Sequence, residues 1–80
     1  ARFNKYRENL SDVFSQLHLN KNMDKPIEEV VNLAERYFED AKYFRDKGEI
    51  TTALISLSYC EGLLDGLRLL NHVNFRWKER

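Results

Sequence analysis

The chain is expected to fold as an all-α three-helix bundle organised around its third helix, and three features of the sequence say so. Only three glycines and one proline occur in 80 residues, which leaves an all-β chain almost no turn signals. Apolar residues recur at steps of three and four in three stretches, residues 3–18, 26–47 and 50–70. The second and third stretches are joined by so few residues that they must form an antiparallel hairpin. One domain, residues 1–80, is the expected organisation, with residues 72–80 a basic aromatic tail. A chain this short buries only about 60% of the surface its unfolded form exposes, so the core is small and leans on five Phe, four Tyr and one Trp.

The first stripe is Phe3, Tyr6, Leu10, Val13, Phe14 and Leu17. Ser11 and Asp12 are poor helix-interior residues, yet the stripe crosses them without a phase change, so one helix is expected. The polar connector 20–25 follows. Pro26 suits a first helical position because its missing N–H would be unsatisfied there, and Glu28 and Glu29 place carboxylates at the positive end of the dipole. Ile27, Val30, Val31, Ala34, Tyr37, Phe38, Ala41 and Phe44 form the second stripe, which Gly48 closes as a C-cap.

The third stretch is the most apolar. Ile50, Ala53, Leu57, Cys60, Leu64 and Leu67 make one stripe, and Ile55, Tyr59, Leu63 and Leu70 make another nearly opposite, with Gly62 and Gly66 beside it. Ser58, Glu61, Asp65 and Arg68 share the one polar sector. A helix with so little polar surface should be largely covered. Two interior glycines cost about 1 kcal/mol each relative to alanine, which calls for close packing, a kink or an approaching backbone. Asn71 can take the left-handed conformation that ends the helix, with Val73 folding back on Leu67 or Leu70. Phe75 and Trp77 are expected to cover the open end of the bundle, the alternative being a basic-aromatic contact with nucleic acid or membrane.

Charge excludes some functions. Thirteen basic residues balance thirteen acidic ones, which argues against a dedicated nucleic-acid binder. The middle of the chain is acidic and the ends are basic. A single cysteine, Cys60, cannot form an intrachain disulfide and reads as a small core hydrophobe. No apolar run approaches a membrane span and the start does not read as a signal peptide, so a cytoplasmic protein with no membrane partner is expected.

Motifs for chemistry are incomplete. Glu61 and Asp65 form a like-charge pair one turn apart, which Arg68 can neutralise. Adding Asp40 would make a carboxylate cluster, Asp40, Glu61 and Asp65, able to attract a divalent ion. Helical nucleotide pyrophosphohydrolases use two adjacent glutamates with a third three residues on, then E-x-x-D. Here Glu28 and Glu29 lead to Asn32, and Glu61 and Asp65 have the wrong spacing. An R-x(4 to 6)-H ribonuclease pattern fails at Arg68 and His72, and neither His18 nor His72 belongs to a metal-binding helical spacing. Tyr37 and Tyr59 lie on apolar arcs, where hydroxyl hydrogen bonds are the expected use.

The run from Tyr37 to Leu70 resembles the archaeal domain-of-unknown-function family 357. The matching features are the Tyr37 to Asp40 start, the Tyr43-Phe44 pair, the Gly48 turn, Ala53 and the S-Y-C-E-G-L-L-D string from Ser58 to Asp65. The resemblance covers the last two helices well and the first hardly at all. It implies a left-handed three-helix bundle of the albumin-binding-domain-like kind and implies no activity. Some relatives carry the domain beside a nucleotidyltransferase-like domain, which would make it an accessory module. A looser similarity, through Ala41, Gly48 and Ala53, is to microtubule-interacting-and-transport domains and tetratricopeptide hairpins, which bind peptides.

The expected function is therefore interaction, with no catalytic residues, metal or cofactor, and a protein partner or self-association. If residues 3–18 fill one groove of the hairpin, some of Ile55, Tyr59, Leu63 and Leu70 should stay exposed beside Gly62 and Gly66 as an interface. The alternative has helix one covering that side, its Phe3, Tyr6 and Phe14 admitted by the glycines. The competing enzyme reading is a metal-dependent hydrolase using the Asp40, Glu61 and Asp65 cluster.

Overall fold

The computed structural model describes residues 2–19 and 22–78. Three helices appear in the expected order, α1 (Arg2–His18), α2 (Lys25–Asp46) and α3 (Ile50–Leu69), and the described residues contain no strand. The α1 helix runs unbroken through Ser11 and Asp12, whose carboxylate accepts from Gln16 Nε2 at 3.0 Å. Pro26 takes the second position of α2 and not the first, and the backbone N–H of Glu28 reaches back to the carbonyl of Asp24 at 2.9 Å. Either position lacks an intrahelical acceptor for its N–H, so proline costs nothing there. Of the polar connector 20–25, residues 20 and 21 lie outside the described residues, as do 79 and 80 of the tail.

Two helix ends use the same device. After α2, Gly48 has φ 81°, its N–H reaches the carbonyl of Arg45 at 2.9 Å, and the N–H of Glu49 reaches that of Phe44 at 2.9 Å. After α3, Asn71 has φ 61°, with its N–H on Arg68 at 3.0 Å and that of His72 on Leu67 at 2.9 Å. Both are Schellman closures, in which a left-handed residue turns the chain and the next N–H satisfies an otherwise orphaned carbonyl. Glycine and asparagine tolerate that conformation best. Val73 is consequently folded back into the core beside Leu67, whereas Leu70 remains exposed.

The α2–α3 hairpin is the tight part of the molecule. Its backbones approach closely because the residues buried along it are small: Ala34 and Ala41 from α2, Ala53, Ser56 and Cys60 from α3. The α1 helix is held further out by larger side chains, Phe3, Leu10, Val13, Phe14 and Leu17, all buried. Phe14 meets Phe38 with ring centroids 5.3 Å apart, and the Arg45 guanidinium lies 5.5 Å from the Phe3 ring. Phe75 is buried and Trp77 partly buried, so the tail closes the core as expected. It is tied to α1 by a two-way amide pair: Gln16 Nε2 donates to the Arg76 carbonyl at 2.9 Å, and the Arg76 N–H donates to Gln16 Oε1 at 3.0 Å.

Candidate functional site

The rotation of α3 departs from what its composition suggests. A polar sector normally faces water, yet Glu61, Asp65 and Arg68 are partly buried against α1 and the tail. Glu61 accepts a hydrogen bond from the Tyr6 hydroxyl of α1, and Asp65 accepts from Trp77 Nε1 at 3.1 Å and from Arg68 Nε at 3.0 Å. The Arg68 guanidinium in turn lies 6.0 Å from the Phe75 ring. Three helices give α3 only two neighbours, and α1 and the tail take the polar flank because Tyr6 and Trp77 bring hydrogen-bond donors to it. Most of the second apolar stripe is left facing out. The expectation of a largely covered helix is therefore wrong there: Ile55 is 64% exposed, Tyr59 53% and Leu70 69%, with Leu69 beside them at 67%, and of the stripe only Leu63 packs against the core.

The residues singled out from the sequence divide accordingly. Ile55, Tyr59, Gly62 and Leu70 are exposed, Gly66 is intermediate, and Leu63 packs against the edge of the core. Neither glycine admits α1: a Cβ built on Gly62 or Gly66 would meet nothing within 4 Å. Phe3 and Phe14 are buried elsewhere in the core, and Tyr6 bonds Glu61 on another flank of α3. Along the exposed face of α3 the middle positions carry no charge: Thr51, Thr52, Ile55, Ser58, Tyr59, Gly62, Gly66 and Leu69.

The α2 helix extends the surface. Tyr37 stacks on Tyr59 with ring centroids 4.4 Å apart and planes at 27°, so the two rings serve each other by stacking, and among the described residues neither hydroxyl makes the expected hydrogen bond. Val30, Tyr37 and Phe44 recur every seven residues on that flank of α2, with Leu33 between them, all only partly buried. The opposite flank of α2 belongs to α1, through Phe14 on Phe38 and through His18 on Glu35 at 3.2 Å. The hairpin thus has one side covered by α1 and one side bare. Leu33 and Leu69 were absent from the sequence-derived set, and the signal for them was an apolar residue falling off the core stripe of its helix.

The acidic residues do not converge. Among the described residues no group of three His, Cys, Asp or Glu side chains is arranged to hold a metal ion. Glu61 and Asp65 are occupied by Tyr6, Trp77 and Arg68, and Asp40 is exposed on α2. Cys60 is fully buried in the core, and burial, aided by the negative charge of Glu35, pushes its thiol up to about 12. That protonated thiol is a packing group and a poor nucleophile. A hollow of about 370 Å³ beside Arg68, His72 and Phe75 is open to solvent.

With this geometry in view, a family profile described as "Protein of unknown function (DUF357)" matches residues 3–73. The chain belongs to this family. Membership in DUF357 takes in α1 as well as the hairpin, from the buried Phe3 to the buried Val73, further than the resemblance read from residues 37–70. No curated protein and no solved structure matches the chain significantly. No helix of the described residues is long and apolar enough to cross a membrane.

Proposed function

We propose that this DUF357 domain is a protein-interaction module, with no catalysis of its own, that binds through the bare side of the α2–α3 hairpin. The observation that carries the reading is the inverted orientation of α3, whose polar sector is turned toward α1 and the tail while Ile55, Tyr59 and Leu70 face out. Solvent-facing apolar residues scattered singly need no explanation, whereas a continuous uncharged helix face beside a second partly apolar helix is the kind of patch that marks a contact surface. The open glycines add room for a close backbone.

A photo-crosslinking amino acid placed at position 55 tests this, with position 39 as control. Glu39 is exposed on α2 and pairs with Lys42, away from the proposed face. Protein adducts formed from position 55 and not from position 39, in cells of the native host, are the expected result. Equal yields from the two positions would remove the reading.

A further inference from the structure

We propose, as a deepening of the interaction reading on which it rests, that the face takes a second copy of the chain, with α2 antiparallel to α2 of the partner and α3 antiparallel to α3. What points to it is a self-complementary charge pattern along α2 and its C-cap residue, Lys47. Glu29, Arg36, Asp40 and Lys47 are all exposed, and at about 100° per residue they fall in one narrow stripe bordering the Leu33 and Phe44 flank. Among the described residues none of the four has an ionic partner, and Lys47 only meets the Tyr43 hydroxyl at 3.2 Å and its ring. In an antiparallel helix pair, positions whose numbers share a midpoint stand opposite one another. Glu29 with Lys47 and Arg36 with Asp40 have the same midpoint, residue 38. One two-fold axis level with residue 38 therefore sets Glu29 against Lys47 and Arg36 against Asp40, each pair made twice, as an isologous interface requires. A foreign partner would give no reason for this chain's own charges to be complementary to themselves.

The α3 helix agrees with that register. The Tyr37–Tyr59 stack fixes the relative height of the two helices, so an axis level with residue 38 of α2 passes level with residue 58 of α3. Two antiparallel α3 helices crossed there bring Ile55 of one copy, to within a residue, level with Gly62 of the other. A bulky exposed side chain thus meets an open glycine. The size is also right. A hairpin face of two helices about 30 Å long approaches the roughly 800 Å² that each partner gives a standard interface.

Sedimentation equilibrium on the purified 80-residue chain is the test, from micromolar to millimolar concentration. The wild type should dimerise. Arg36→Glu sets like charges opposite one another in both symmetric pairs and should weaken the dimer about tenfold. Asp40→Arg added to Arg36→Glu restores opposite charges and should recover most of the loss. Both substitutions are on exposed side chains, so circular dichroism should stay helical throughout. A wild type that remains monomeric at millimolar concentration overturns the second-copy inference, while crosslinking from position 55 to a different protein would leave the interaction reading standing. A dimer that Arg36→Glu leaves unchanged overturns the antiparallel pairing.

Discussion

The two sides of the α2–α3 hairpin both present apolar residues and meet opposite fates. One side is roofed by α1 and the tail and fastened by polar contacts at its edge: Tyr6 to Glu61, Trp77 to Asp65, Gln16 to the backbone of Arg76. The other has aromatic stacking and two open glycines, with no roof among the described residues. The difference teaches that hydrophobicity does not choose which side of a helix becomes core. Both sides of α3 are apolar. Placed hydrogen-bond donors on α1 and the tail choose, because an edge carboxylate satisfied by a donor fixes the neighbour's position, which non-directional burial leaves open.

The largest expected effects break the comparison at the roofed side. Leu57→Ala and Leu64→Ala remove fully buried side chains and should each cost about 2 to 5 kcal/mol, read by chemical denaturation. Ile55→Ala and Leu70→Ala, with most of their surface already in water, should each change the stability of the isolated chain by less than about 0.5 kcal/mol. Equal losses on the two sides would mean that the bare side is core.

Cys60 gives the next effect, since it reports the roofed side through its titration. Its thiol has a folded pKa of about 12 against an ordinary 9.0, so burial favours the protonated form. Stability from this group is complete below pH 9 and is lost as pH rises from there toward 12, at a limiting slope of about 1.4 kcal/mol per pH unit. The wild type should accordingly lose more stability over that window than Cys60→Ala does. A disulfide reagent at pH 8 should label the folded chain only as fast as it opens. Immediate stoichiometric labelling would show that the core around Cys60 is loose.

Local rules made most of the fold legible. Stripes at three-and-four spacing, Pro26, Gly48 and Asn71 locate the helices to within one residue at each end, because caps and periodicity are properties of neighbouring residues. The packing of Val73 and Phe75 followed from the same local logic. Which flank of α3 would be roofed did not follow. That depends on Tyr6 and Glu61, 55 apart in sequence, and on Gln16 and Arg76, 60 apart, and nothing in their local spacing announces those bonds. The spacing shows the polar sector of α3 but not what covers it, since a carboxylate in a helix reads as solvent-facing until a distant donor is known. Leu33 and Leu69 are illegible for the related reason that each lies off its helix's main stripe.

The smallest effects sharpen the comparison most, because they concern one residue type in two settings. Gly48 holds φ 81°, a conformation that side chains rarely adopt, so Gly48→Ala should destabilise by about 1 kcal/mol even though its Cβ would meet nothing. Gly62 and Gly66 lie inside α3 with ordinary helical geometry and equally open surroundings, so Gly62→Ala and Gly66→Ala should each stabilise the monomer by about 0.5 to 1 kcal/mol. A helix that gives up this much stability at two positions one turn apart has a use for the missing methyls. If the second copy seats there, each Cβ enters the space that the approaching helix occupies, its Ile55 in the case of Gly62, and association weakens while folding strengthens. Thermal unfolding at micromolar concentration and sedimentation at millimolar concentration should therefore move in opposite directions for Gly62→Ala. Stabilisation with unchanged association would place the contact elsewhere on the molecule, and destabilisation of the monomer would mean that the glycine serves the fold of the single chain after all.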